Sequence, residues 1–131
     1  MSVLIDVNVL VALVLTNAPN HHRATATVSL TKPFATCAVT QGGLLRVLMG
    51  PFGQLRAESA WQVLRQLTLM PAHEFWEAGF SYLEVAPKGV QGHGQVTDFW
   101  LAELARRRKS RLVTFDRGLA QAHPDVVELV P

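Results

Sequence analysis

The chain has 131 residues, a net charge of +2 and an apolar fraction of 49%, which suits one compact domain over residues 1–131 and argues against wholesale disorder. Asp6 interrupts the first apolar stretch with no basic residue before it, and the longest apolar run, residues 9–15, falls far short of the roughly 20 needed to cross a bilayer. The expectation is a soluble cytoplasmic protein without a targeting segment or membrane association, and the lone Cys37 excludes an internal disulfide and reads as a small buried hydrophobe.

Residues 3–5 are apolar on both faces, as a buried parallel strand should be. They lead into Asp6-Val7-Asn8 and an apolar helix through about residue 15, broken by Ala18-Pro19. Asn20 is placed to cap a second helix over 21–30. A second strand is predicted over 34–39. Thr40 then caps a third helix carrying Leu44, Leu45, Val47 and Leu48, which Gly50-Pro51 ends. A fourth helix over 54–66 gathers Leu55, Ala60, Trp61, Leu64 and Leu67 near one stripe. Residues 67–70 read as a short third strand. The stretch 71–94 reads as a short helix over 78–85 and a loop with Pro87, Gly89, Gly92 and Gly94. Thr97 caps a helix to residue 109, a fourth strand over 111–113 ends in Thr114-Phe115-Asp116, residues 118–122 make a helical turn, and 126–130 form a fifth strand. Strands alternating with helices imply a parallel α/β sheet covered on both faces.

Ligands of open α/β sheets gather outside the carboxyl ends of the strands. Asp6 follows the first strand and Asp116 the fourth, while Asp98 sits in the first turn of a helix, where the dipole and free N–H groups favour an anion. Of four aspartates only Asp125 lies elsewhere. Converging carboxylates repel one another unless a cation neutralises them. Mg²⁺ or Mn²⁺ fits such oxygen ligands and leaves positions for a phosphate oxygen and water, which leads toward phosphodiester hydrolysis. Single aspartates after strands also cap helices and shape turns, so position alone leaves both roles open.

Five of the twelve basic residues crowd into one run, Arg106, Arg107, Arg108, Lys109 and Arg111. Such a run attracts phosphate backbones or complements the dipole of a helix C-terminus, and the two roles are compatible.

Three segments together resemble a PIN domain of the VapC group: residues 4–10 (LIDVNVL), residues 92–102 around Gly92-His93-Gly94 and Asp98, and residues 112–119 (LVTFDRGL). Residues 40–46 (TQGGLLR) resemble the family's stretch around its second acidic residue. Each segment is weakly specific alone; the four in order span nearly the whole chain. The resemblance implies a single PIN-like domain with a five-stranded parallel sheet flanked by helices on both faces. It also implies a Mg²⁺- or Mn²⁺-dependent endoribonuclease that is often dimeric and is held inactive by a VapB-type antitoxin. Asp6, Asp98 and Asp116 match acidic metal-site positions of the family. Asn8 and Thr114 match polar positions lining the same site, where they would hydrogen-bond the carboxylates or a metal-held water. Where the family usually has Glu, this chain has Gln41, and Gly42 and Gly43 beside it offer no acid either. Gln is nearly isosteric but neutral, so the resemblance implies weaker metal binding, or a PIN domain retired into an RNA- or protein-binding module.

Arg46 is expected to contact a scissile phosphate, pair with a site carboxylate, or anchor its helix through a salt bridge. His21 and His22 point about 100° apart on a helix and do not easily share one metal. His93 lies in a glycine-flanked loop before Asp98. Trp61, Trp76 and Trp100 read first as core or interface residues, with Trp61 also a candidate for a groove that receives an antitoxin segment. Transfer, ribosomal and messenger RNA all suit a small basic nuclease, preferably in single-stranded or loop form. A receiver- or phosphatase-type domain is disfavoured, because Val7 and Asn8 deny Asp6 an adjacent acid. A dinucleotide binder is disfavoured because no glycine-rich turn follows the first strand.

Overall fold

The computed structural model describes residues 1–131. Five short parallel strands form one sheet: β1 (Val3–Ile5), β2 (Phe34–Thr36), β3 (His73–Phe75), β4 (Leu112–Thr114) and β5 (Val127–Leu129). Their order is β3-β2-β1-β4-β5. The chain therefore winds outward from β1 in one direction, then returns to β1's other side at β4. The junction of β1 and β4 is the topological switch point, where loops diverge and leave a crevice.

Alternation along the strands sends side chains to two cores. Leu4, Ala35 and Leu112 face one side and pack with Phe99, Trp100, Leu101 and Leu119. Ile5, Phe34 and Val113 face the other and pack with Val9, Leu10, Leu44 and Leu48. Helices α1 (Val7–Val14), α2 (His21–Thr27), α3 (Ala38–Met49) and α4 (Ala57–Thr68) supply the second core, and α5 (Val96–Arg107) and α6 (Arg117–Ala122) the first. Leu4 and Ile5 are wholly buried because both sheet faces are covered. Cys37 is buried, as expected of an inert thiol.

The elements differ from the sequence expectation in four places. Residues 67–70 are not a strand: Leu67 and Thr68 finish α4, and β3 begins beyond Pro71 at His73. The apolar run was the end of a helical stripe, while the true edge strand is half-exposed and polar enough to hide its period. Second, Cys37 rather than Thr40 occupies the cap of α3; Thr40 sits three residues in, and its Oγ1 accepts from the Cys37 N–H at 3.0 Å. Third, α5 starts at Val96 on a short 3₁₀ turn (His93–Gln95), so Thr97 lies inside the helix. The expected helix over 78–85 is only a 3₁₀ turn at Tyr82–Glu84.

The basic run is largely neutralised within the fold. Arg106 pairs with Glu103 and Asp125, Arg107 with Glu103 and Glu84, and Arg111 with Glu128. Arg107 and Arg108 also lie over the rings of Phe80 and Trp76. This run ties the C-terminal end of α5 to its surroundings, and much of its charge is unavailable to a phosphate backbone.

Helix α3 crosses close to α1 at Gly43. A Cβ there would fall 2.5 Å from Val7 Cγ2 and 3.2 Å from Val7 Cγ1. Alanine ordinarily gains about 1 kcal/mol over glycine inside a helix, but overpacking costs about 1–3 kcal/mol. Gly43→Ala is expected to destabilise the protein by about 1 kcal/mol in urea denaturation. In a Val7→Ala background the same change should become stabilising, and a cycle showing no such coupling would rule out the close approach.

Candidate active site

Asp6 leaves β1 and at once caps α1, its Oδ1 accepting from the Val7 N–H at 2.8 Å. Its Oδ2 accepts from Thr114 Oγ1 at 2.7 Å. Thr114 ends β4, and the same hydroxyl oxygen accepts from the Asp116 N–H at 3.1 Å. One buried hydroxyl thus joins the carboxyl ends of the two central strands. Asp116 caps α6, with Oδ1 accepting from the Leu119 N–H at 3.0 Å. The cap leaves Oδ2 without a hydrogen-bond partner. A Cβ on Gly118 would come 3.3 Å from Asp116 Oδ1 and 3.9 Å from Gln95 Nε2. Glycine therefore keeps this rim open, and Gln95, which the sequence reading passed over, borders it. Asp98 lies in the first turn of α5 and makes no side-chain hydrogen bond.

The three carboxylates act on one another. Burial, then repulsion from Asp6 and from Asp116, pushes the Asp98 pKa up to about 6. Burial also raises Asp6 against the opposing hydrogen bonds from Thr114 and Val7, with Asp116 adding to the rise. No arginine, lysine or histidine forms a salt bridge with any of the three. The fold supplies cations to Glu84, Glu103, Asp125 and Glu128 and withholds them here.

This donor set fits a hard divalent cation: oxygen ligands only, negative charge unmatched by protein, and free carboxylate oxygens on Asp98 and Asp116. No three acidic, histidine or cysteine side chains converge tightly enough to form a ready cage.

The remaining expected site residues are distributed differently. Thr114 stands where expected, bonded to Asp6. Asn8 is exposed, makes no side-chain hydrogen bond, and borders a groove with Val11, Phe52 and Phe115, so it does not bond the carboxylates. Gln41 makes its side-chain hydrogen bond at the end of β2. Its Nε2–H donates to Thr36 Oγ1 at 3.1 Å, and Thr36 Oγ1 lies 2.7 Å from His73 Nε2. It lines a groove with Trp61, Arg65, His73 and Phe75 and bonds none of the three aspartates. The cause is helical phase: residues 41 and 43 lie about 200° apart around α3. The position that meets Val7, next to Asp6, is Gly43. Arg46, one turn beyond Gly43, borders the same hollow as Val7, is exposed and has no carboxylate partner, so it is not a helix-anchoring salt bridge. Exposed His93 lies in the 3₁₀ turn leading to α5.

Residues 3–123 match the family model of the PIN domain, and the chain belongs to the PIN-domain family. It is 43% identical to Ribonuclease VapC29 of Mycobacterium tuberculosis, over all of this chain and 98% of that protein. It is 38% identical to Ribonuclease VapC38 of the same organism, over 97% of this chain and 96% of that protein. With Ribonuclease VapC44, also from that organism, identity is 35% over 92% of this chain and 89% of the relative. These relatives place the chain among the VapC-type members of the family.

A carboxyl group whose pKa is raised on folding holds its proton more tightly in the native than in the unfolded state. Between about pH 4 and pH 6 the native protein therefore binds more protons at Asp98, and stability falls as pH rises through that window. In EDTA, thermal unfolding should show this loss, and Asp98→Asn should flatten it and leave the protein more stable than wild type at pH 7. Equal slopes in the two proteins would show that Asp98 carries no such repulsion.

Proposed function

We propose that this protein is a Mg²⁺- or Mn²⁺-dependent endoribonuclease, the toxin of a VapBC-type pair, that hydrolyses RNA phosphodiester bonds at Asp6, Asp98 and Asp116. The observation that carries the reading is the trio of mutually repelling carboxylates at the switch point, left without protein counter-charge in a PIN fold. The ribonuclease names of the full-length relatives support it.

In this reading Asp6, Asp98 and Asp116 hold the cation, which supplies Lewis-acid stabilisation of charge developing on the phosphate oxygens. Asp6 is the fixed member, its two oxygens aimed by Thr114 and the Val7 N–H. Asp116 is oriented through one oxygen by its cap and offers the other. Asp98 is the responsive member: unbonded and pushed up to about 6 in the metal-free protein, it would be held in its ionised form by a cation down to lower pH. Arg46 and Arg117 are exposed and free of carboxylate partners, which suits them to the flanking phosphates of an RNA strand. Gln41 takes no part in holding the ion.

The protein works in the cytoplasm, and its substrate is an accessible single-stranded or loop segment of transfer, ribosomal or messenger RNA. A VapB-type antitoxin restrains it, and it forms a homodimer. Exposed Met49, Phe52, Tyr82 and Leu83 support surfaces that partners cover. No helix is long and apolar enough to cross a membrane.

Purified protein freed of antitoxin and incubated with total cellular RNA should yield discrete fragments in Mg²⁺ or Mn²⁺ and none in EDTA. Asp98→Asn should slow cleavage by about 100-fold or more, as loss of a transition-state electrostatic partner does. A folded wild type that cuts nothing in either metal would shift the reading to a retired PIN domain that binds RNA or protein without cleaving.

A further inference from the structure

The groove between α4 and β3 has none of the three aspartates in its lining. It holds about 490 Å³, within the range of ligand sites, and its walls mix rings with polar groups: Trp61, Phe75, Gln41, Arg65 and His73. Trp61 is 49% exposed and Phe75 47%, whereas Trp76 and Trp100 are buried at 3% and 7%. Neither Trp61 nor Phe75 belongs to any ring–ring pair in the molecule. Arg65 bonds only the neutral Gln62 and has no carboxylate partner.

Gln41 is held in one orientation. Thr36 Oγ1 lies 2.7 Å from His73 Nε2, which anchors the hydroxyl. The hydroxyl oxygen in turn receives the Gln41 Nε2–H. The Gln41 Oε1 and its second N–H remain without partners, an acceptor and a donor side by side. That pair matches the edge of adenine, to which glutamine binds in two-point fashion through N6 and N7. Gln41 stands just beyond the end of β2, and Phe75 ends β3, so both lie at the carboxyl edge that carries Asp6 and Asp116. With strands about 4.8 Å apart, β3 is roughly 10 Å from β1, within reach of a nearby nucleotide of one RNA strand.

We infer that this groove is a base-recognition subsite for an unpaired nucleotide, with Trp61 and Phe75 stacking the base, Gln41 reading its edge with a preference for adenine, and Arg65 meeting the adjoining phosphate. The inference rests on the RNA substrate proposed above and adds the determinant of its sequence preference. An apolar helix of a protein partner would leave Gln41 and Arg65 without mates; a nucleotide satisfies both.

The test follows tryptophan emission, because Trp61 is the only exposed indole. Single-stranded oligo-A, oligo-U, oligo-C and oligo-G are titrated into the full-length Asp98→Asn protein in EDTA. Expected are saturable quenching and about tenfold tighter binding of oligo-A, the scale of one two-point base contact. By anisotropy of labelled oligonucleotides, Trp61→Phe should retain binding while losing the quench. Trp61→Ala should weaken binding about tenfold, and Gln41→Leu should erase the oligo-A preference. Equal affinity for all four oligonucleotides, a preference that survives Gln41→Leu, or no quenching would overturn the subsite. So would Trp61 emission that shifts only with protein concentration, which would mark a protein interface. Metal-dependent cleavage without quenching defeats the subsite alone; quenching without cleavage defeats the nuclease reading and leaves the subsite.

Discussion

Three carboxylates with no protein cation among them, Asp6 buried, Asp98 half-buried and Asp116 exposed, are the constraint on which this structure turns. Repulsion of this kind is ordinarily relieved by protonation, by a neighbouring arginine or by drifting apart. Here each escape is restricted. Asp6 is fixed between the Val7 amide and the Thr114 hydroxyl, Asp116 is fixed by the start of α6, and Asp98 is carried on a helix whose far end is tied to Asp125 and Glu84 by ion pairs. Elevation of Asp98 to about 6 comes first from its burial, with repulsion from Asp6 and Asp116 adding to it. On the proposed reading a mobile cation would neutralise this unmatched charge, and its absence would leave the charge to weigh on stability.

The sheet order explains how the conflict is assembled from distant parts of the chain. Asp6 and Asp116 are separated by more than a hundred residues, yet β1 and β4 pair directly, with Ile5 opposite Val113. Thr114 completes the link because it sits one residue beyond that pair and faces Asp6. Using Asp6 and Asp116 as helix caps means that the same residues shape the fold and, on the proposed reading, furnish the site. The structural and chemical roles, which compete when the sequence is read alone, are here two uses of different oxygens and lone pairs.

Elements whose side chains are dictated by both faces of the sheet were the most legible in the sequence. The runs at β1 and β4 announced themselves by continuous burial, and with them Asp6, Thr114 and Asp116. Asp98 was legible through its place at a helix start. Less legible was anything that depends on rotation about a helix. Gln41 sits among residues aligned with the site by order along the chain, but α3 turns it toward Thr36 and His73 and presents Gly43 to Val7 instead. The basic run misled for a related reason: Glu84, Asp125 and Glu128 are remote in sequence and reach it only through the fold. β3 escaped because a half-exposed edge strand carries little apolar signal, and Pro71 separates it from a helical stripe that mimics a strand.

The central claim is that Asp6, Asp98 and Asp116 form one cation site. It is tested most directly by titrating Mn²⁺ into isotopically labelled protein and following paramagnetic broadening of backbone amide resonances. The account predicts that the amides of Val7, Asp98 and Asp116 with its α6 neighbours broaden together at the lowest Mn²⁺, while those around Glu84, Glu103 and Gln41 stay sharp. Broadening that begins at Glu84 and Glu103, or that spreads evenly over the surface acids, would contradict it.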